Sequence, residues 1–424
     1  MSKEIKKDEG AWAWVPILYF TQGLPYVLVI SVSTILYKRL GFTNEELGLY
    51  TSLLYLPWLL KPLWSPFVDL KSTKRNWFLN MQLLISIALL GVGLSLPTNL
   101  FVITSLACFW MVAFASATND IASDGYYMLG LTQKKQSFFV GIRSTFYRLA
   151  MVTGEGLIVI LAGFLENYYG DNTKAWSVTI ICTAVLMLLL TLSNYFVTPK
   201  YESSIAIEKE KPVSFFVVFK SFFDKPNIGI ALAFILCYRL GESQLVKMAA
   251  PFLLDPSTEG GLGYSTTAVG TINGTAGIVA LTIGGILGGI LISRDGLKKW
   301  MLPMVLSLNI PNVSYVLLAF TKTTSTIAVV GTVMLEKFGY GFGFAAFLIY
   351  LIYIAEGESK TSHYAIATGF MALGMMLPGM ISGYIQKWLG YDGFFLWVVI
   401  AALPSLFLLK HITYPADYGK KTNT

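Results

Sequence analysis

Twelve times along the chain an apolar run of about twenty residues or more passes between short polar breaks, at about 12–37, 46–68, 77–96, 101–128, 138–165, 176–197, 226–253, 266–292, 300–320, 325–354, 362–387 and 391–411. A hydrocarbon layer about 30 Å thick needs about twenty residues at 1.5 Å per helical residue, so each run is long enough to cross one. Inside that layer no water can bond the peptide groups, and a run of this length satisfies them only as a helix. Composition agrees: 55% of residues are hydrophobic and 13% charged, against about 25% charged in ordinary soluble domains. The sequence therefore predicts an all-α integral membrane protein of twelve transmembrane helices.

The first run follows a charged tail, MSKEIKKDEG, and lacks a small-residue cleavage pattern. It reads as a retained span rather than a signal peptide. Cys108, Cys182 and Cys237 all fall in apolar runs and act as small hydrophobes, not as a disulfide framework. The longest polar connector, between the sixth and seventh runs, divides the chain into a cytoplasmic tail 1–11, a six-helix bundle 12–197, a linker 198–225, a second six-helix bundle 226–411 and a tail 412–424. Phe215 to Phe223 within the linker have the pattern of an interfacial amphipathic helix. Lys and Arg orient the spans, because cytoplasmic loops retain positive charge. One set of alternate connections, including both tails, carries most of the chain's 31 basic residues, while the other carries only Lys38, Arg39, Lys174, Lys322 and Lys387. Both termini are expected in the cytoplasm. The net charge of +7 has the same origin and implies no nucleic-acid partner.

The halves also look like weak repeats of each other, as in transporters built from related bundles. SPFVDLKSTKRNW follows the second span of the first half and GGILISRDGLKKW the second span of the second. With these loops, the stretches LWSPFVD (Leu63–Asp69), NDIASDGYY (Asn119–Tyr127), YRLAMVTG (Tyr147–Gly154) and YRLGE (Tyr238–Glu242) resemble the major facilitator superfamily, and within it the AmpG-type muropeptide permeases and related acetyl-CoA transporters. The resemblance is clearest over the first five spans. It implies two six-helix bundles related by a pseudo-two-fold axis, proton-driven import across a bacterial inner membrane, and N-acetylglucosaminyl-anhydromuramyl peptides as the best-known cargo.

A charge in mid-bilayer costs several kcal/mol unless it finds a partner or water, so each one marks a candidate site. Asp120 and Asp124 lie four apart on one face of the fourth span. If spans four and five form a straight hairpin turning near Lys134, Asp120 falls beside Arg148 and Asp124 beside Arg143, with Glu155 two turns beyond Arg148. Burial and a neighbouring cation pull a carboxylate in opposite directions, which suits it to gain and lose a proton. Asp120, Asp124, Arg148, Glu155, Arg239, Glu242, Gln22 and Asn119 are the candidates for proton coupling and the substrate cavity, and Gln22 adjoins the break expected at Gly23 and Pro25. Asp69, Lys71 and Arg75, with Arg143, Arg294 and Asp295, are the candidates for gating at the cytoplasmic helix ends. Arg239 and Glu242, three apart, can satisfy each other locally. Lys247 is expected to snorkel to the outer interface, and Lys61 to lie near the cytoplasmic end of its span. The glycine-rich eighth run is expected to pack closely against a neighbour.

A secondary active transporter, working as a monomer on a small solute with protons as the coupling ion and no cofactor, accounts for these features. An acetyl-CoA-like molecule, a sugar acid, a peptide or a drug is an alternative cargo. An integral-membrane transferase fits less well, since the loops are short and His363 and His411 are the only histidines. No G-x-x-x-x-G-K-[ST] stretch implies an ATP-driven pump. A channel leaves the repeat and the charged hairpin unexplained.

Overall fold

The computed structural model describes residues 8, 10–201, 215–323, 325–357 and 359–420, and among them every regular element is a helix. Ten helical runs there are long and apolar enough to cross a membrane: Ala11–Arg39, Lys74–Ser95, Phe101–Gly130, Lys134–Tyr169 and Asn172–Val197, then Ile228–Leu254, Thr266–Asp295, Leu297–Thr321, Thr326–Ala355 and Ser362–Leu408. The other two expected spans are present in altered form. The second is two helices, Asn44–Leu53 and Leu56–Lys71, interrupted at Leu54 and Tyr55. The eleventh and twelfth run together as Lys360–Ala401, divided at Gly390, whose φ of 66° and ψ of 177° interrupt the helix. Only glycine adopts that conformation without strain. Spans are numbered 1 to 12 below on this basis. Phe215–Phe223 is helical, as its pattern requires.

Three spans widen into π-helical turns: Leu28–Val32 in span 1, Val152–Ile158 in span 5 and Ile272–Gly277 in span 8. The expected break at Gly23 and Pro25 does not occur, because the helix Ala11–Val27 runs through both residues. Proline removes one amide donor and crowds the preceding turn. Three residues after Pro25 the helix takes up the wider turn Leu28–Val32.

Contacts sort the chain into two compact units, Met1–Leu40 with Leu60–Pro212 and Gly41–Leu59 with Val213–Thr424. The first half of span 2 thus packs with the second unit, and its second half with the first. In the first unit span 3 packs on spans 4 and 6, and span 1 on spans 4, 5 and 6. Spans 4 and 5 scarcely touch each other. Trp14, Tyr19, Phe78, Tyr126 and Phe139 form a largely aromatic core, together with Leu18, at one end of this unit. In the second unit span 10 packs on spans 8 and 9, and the long helix of spans 11 and 12 packs on span 7 and on Asn44–Leu53. Large apolar side chains such as Leu157, Phe164, Ile286, Ile290 and Phe407 are exposed, as lipid-facing surfaces require.

The crossing of spans 8 and 10 is built of glycine, as the eighth run implied. A Cβ on Gly284 of span 8 would lie 2.2 Å from the Phe338 carbonyl oxygen, and one on Gly341 of span 10 would lie 2.1 Å from that of Leu281. Gly289, one residue beyond Gly288 of the same run, has nothing within 4 Å. Gly284→Ala or Gly341→Ala is therefore expected to force the two backbones apart and destabilise the protein by about 1–3 kcal/mol, the usual cost of overpacking. Gly289→Ala is expected to leave it unchanged, and thermal unfolding in detergent micelles measures both.

Candidate transport site

Span 1 presents Tyr19 and Gln22, three residues apart, and antiparallel span 4 presents Asp120 and Asp124, four apart. Residues at these spacings share a helix face, so the two pairs meet in register. Gln22 Nε2 donates to Asp120 Oδ1 at 2.7 Å, and the Tyr19 hydroxyl donates to Asp124 Oδ1 at 2.9 Å. Each carboxylate then receives a cation from a different span. Lys61 of span 2 brings Nζ to 3.7 Å from Asp120 Oδ2, and Arg143 of span 5 brings Nη2 to 3.4 Å from Asp124 Oδ1. The Arg143 guanidinium also lies over the rings of Tyr19 and Tyr127, at 4.5 and 5.1 Å from their centroids.

A layer of amides adjoins this cluster. Asn194 of span 6 donates to Thr21 and to Gln82, each at 3.1 Å, and Gln82 Nε2 donates to Asn119 Oδ1 at 3.2 Å. Ser123 reaches the same Asn119 oxygen at 3.4 Å. Gln22 Oε1, Asn119 Nδ2 and Asn194 Oδ1 are sealed from solvent yet make no hydrogen bond among the described residues. A buried polar group in that condition costs about 1–3 kcal/mol, and such atoms are where ordered water or a ligand is bound.

The pairing of Asp124 with Arg143 is as the sequence led one to expect, while that of Asp120 is different. Both Asp120 oxygens face Gln22 and Lys61, not Arg148, because spans 4 and 5 diverge from their turn and span 1 packs on each of them. Counting equal depths from a turn assumes that neighbouring helices touch along their length. Tyr19, Lys61, Gln82 and Asn194 thus join the cluster without having been singled out for it. A lysine inside an apolar run was the visible signal for Lys61. Glu155 lies in the π-helical turn of span 5, 8% exposed.

In the second unit Arg239 sits between helices Ile228–Tyr238 and Leu240–Leu254, and its Nε and Nη2 donate to the two Glu242 oxygens at 2.6 and 2.9 Å. Its guanidinium also covers the rings of Tyr340 and Phe344. The local pair foreseen from their spacing is present and buried. Lys247 does not snorkel. It is 1% exposed, donates to Thr51 at 3.0 Å and lies over the Tyr55 ring, because the first half of span 2 covers this face of span 7.

Of the gating candidates, the side chains of Asp69 and Lys71 lie outside the described residues. Arg75 is buried against the end of span 6, donating from Nε to the Thr198 carbonyl at 2.9 Å and from Nη2 to that of Tyr195 at 2.6 Å. These carbonyls end a helix and lack partners within it. Asp295 gathers Arg294 at 2.9 Å, Lys299 at 3.1 Å and the Trp300 indole at 2.9 Å. Between the linker helix and span 7, Lys225 donates to the carbonyls of Ile354 and Glu356 at the end of span 10, and burial pushes its ammonium below the usual lysine range.

Membrane-length helices and a cluster of carboxylates, cations and amides borne on the spans define a multi-pass membrane protein of the secondary-transporter class. The family profile of the Major Facilitator Superfamily matches residues 17–335, more than half of the chain, and the protein belongs to that superfamily. It is similar to the anhydromuropeptide permease of Escherichia coli K12, with 27% identity over 417 residues, 95% of this chain and 80% of that one. It is also similar to a Rickettsia conorii protein named as the transporter AmpG 4, with 24% identity across 93% of this chain and 95% of that one. Among solved structures, a D-xylose-proton symporter shares the fold with a TM-score of 0.76 and 13% identity, over 98% of this chain and all of that one. A bacterial homologue of the human lysosomal transporter Spinster, solved inward-facing and unoccupied, does so with a TM-score of 0.72 and 17% identity, over 97% of this chain and all of that one.

Burial separates two of these ion pairs in energy. Arg239 and Glu242 are 10% and 1% exposed at their side chains, whereas Arg143 and Asp124 are 33% and 43% exposed. Glu242→Gln strands a buried guanidinium and is expected to destabilise the protein by about 3–5 kcal/mol. A double-mutant cycle between Arg143→Ala and Asp124→Asn is expected to return a coupling below about 1 kcal/mol, since solvent screens that pair. Chemical unfolding in micelles provides both values.

Proposed function

We propose that the protein is a proton-coupled importer of muropeptides or related amino-sugar solutes, working by alternating access in the inner membrane of a bacterium with both termini in the cytoplasm. The observation that carries this reading is Asp120, a span-borne carboxylate held between the Gln22 amide and the Lys61 ammonium. A carboxylate in a span is costly and persists where its charge is used. Here its two partners come from two other spans, so any relative movement of spans 1, 2 and 4 changes how well its charge is compensated. An entering solute with hydroxyl, amide or carboxylate groups competes for the same Gln22 and Lys61 donors, which links its binding to that change.

The cargo class is supported by the relatives: the E. coli protein carries the name anhydromuropeptide permease and matches nearly all of this chain. The orphaned amide atoms beside Asp120 suit a solute rich in hydroxyl and amide groups. The basic connections support the orientation, since they lie on the side that positive charge keeps in the cytoplasm. Asp69, Lys71, Arg294 and Asp295 are proposed to act at the cytoplasmic helix ends, holding one state of the cycle.

Reconstituted into proteoliposomes, the protein is expected to accumulate labelled N-acetylglucosaminyl-anhydromuramyl peptide when a proton gradient is imposed. Asp120→Asn keeps the shape and removes the charge; it is expected to abolish accumulation while leaving the yield of folded protein unchanged. Accumulation by this variant at the wild-type rate would exclude Asp120 from the coupled site. Failure of the wild-type protein to take up this solute would exclude the cargo.

A further inference from the structure

We propose that the second unit binds a monovalent alkali cation of the sodium type where span 9 is interrupted, through the carboxamide oxygens of Asn309 and Asn312 and the Glu336 carboxylate of span 10. This site is separate from the one that carries the transport reading and does not depend on it.

The interruption begins with Pro311. It has no N–H, so the Ser307 carbonyl loses the donor that a continuous helix gives it. Span 9 becomes two helices, Leu297–Asn309 and Asn312–Thr321, with Ile310 and Pro311 between them. The C-terminal end of the first helix carries the negative end of its dipole. Half-helix ends of this kind inside a membrane are places where transporters coordinate alkali ions.

Asn309 and Asn312 flank the interruption, three residues apart, and both are buried, as is Tyr315 one turn on. Asn309 Nδ2 donates to the Val305 carbonyl at 2.8 Å, whereas its Oδ1 makes no hydrogen bond among the described residues. Neither Oδ1 nor Nδ2 of Asn312 makes one either. A carboxamide sealed from water with its bonds unmade is costly, and the cost falls away when a ligand or ordered water meets it.

Span 10 brings the charge. A Cβ on Gly343 would lie 2.6 Å from the Met304 carbonyl oxygen, and one on Gly339 would lie 2.0 Å from that of Ser307 and 2.9 Å from Pro311 Cγ. Glu336 shares this helix face with Gly339 and Gly343. Continued by one turn, the antiparallel register sets Glu336 opposite Asn312 and Tyr315. Glu336 is buried and acts electrostatically on Tyr315. It has other interactions as well, while its Oε1 is sealed from solvent without a hydrogen bond among the described residues. The basic groups of the surrounding spans start on other faces. Lys337 leaves span 10 toward span 8, its Cγ 3.2 Å from where Gly277 would carry a Cβ; Arg239 is held by Glu242, and Lys247 donates to Thr51.

The donor set selects the ion. One carboxylate supplies one negative charge and the other oxygens are neutral, which balances a monovalent cation; divalent ions take more carboxylates or keep several waters. With no cysteine or histidine in the set, a softer transition metal lacks its ligands.

Two measurements on the full-length protein in micelles test this. Radioactive sodium is expected to bind the wild type saturably, with competition from lithium. Replacing choline by sodium at constant ionic strength is expected to raise the unfolding midpoint by a few degrees, since a ligand of the folded state stabilises it. Glu336→Gln and Asn312→Ala are expected to lose both responses, and Gly289→Ala to keep them. Should Glu336→Gln not fold, Asn312→Ala carries the same comparison. The inference is overturned if the wild type binds no sodium and unfolds alike in both salts, in which case ordered water alone meets these groups. It is also overturned if either folded variant keeps the wild-type sodium response. Neither readout involves transport, so a failure of the cargo or proton reading leaves this test intact.

Discussion

A peptide group in hydrocarbon has no water to bond, and the architecture of this protein follows from meeting that demand twelve times over. Helices satisfy it within each segment, which is why every regular element among the described residues is helical. The exceptions are equally informative. Where the ladder is disturbed, at Leu28–Val32, Val152–Ile158 and Ile272–Gly277, the turn widens and the helix continues. A free break would leave donors and acceptors facing lipid; a π turn confines the disturbance to one face. Two of these turns pack together in the first unit, and one of them carries a buried glutamate.

With backbone groups satisfied and lipid as apolar as the side chains, close packing decides which helices stay together. Spans 8 and 10 show how far this goes. Gly284 and Gly341 remove side chains at reciprocal positions, so that each backbone lies against a carbonyl of the other. Span 10 repeats the device toward span 9, where a Cβ on Gly339 would lie 2.0 Å from the Ser307 carbonyl oxygen. The first unit relies more on aromatic packing at one end and on a polar layer within it. Trp14, Tyr19, Tyr126 and Tyr127 surround the end of span 1, while Gln82, Asn119 and Asn194 bond across spans 3, 4 and 6.

The units also differ in how they treat charge. In the second, Arg239 and Glu242 neutralise each other within one turn at a helix interruption, with aromatic rings over the cation. Such a pair needs no other span. In the first, Asp120 and Asp124 depend on partners from spans 1, 2 and 5, so their compensation is a property of the packing. A charge whose partner is local stabilises one helix, and a charge whose partners lie on separate helices responds when those helices move. That difference is the basis for proposing the solute-responsive chemistry in the first unit.

The apolar runs by themselves determined the number of spans and the helical class, because length and hydropathy are local and the bilayer imposes a fixed thickness. The Arg239–Glu242 pair was legible for the same reason: a separation of three residues keeps the two groups within reach of each other. The Gly390 division was legible in the break between the eleventh and twelfth apolar runs, just after Lys387. Tertiary structure alone decided which charges meet. Asp120 was expected beside Arg148, yet it meets Gln22 and Lys61, since span 1 packs on spans 4 and 5 where a straight hairpin would have let those two touch. Lys247 was expected at the interface, yet it is buried under Thr51 and Tyr55, because the first half of span 2 packs with the second unit. Contacts between residues some 60 to 200 positions apart depend on the order in which helices pack, and neither periodicity nor spacing within one segment records that order.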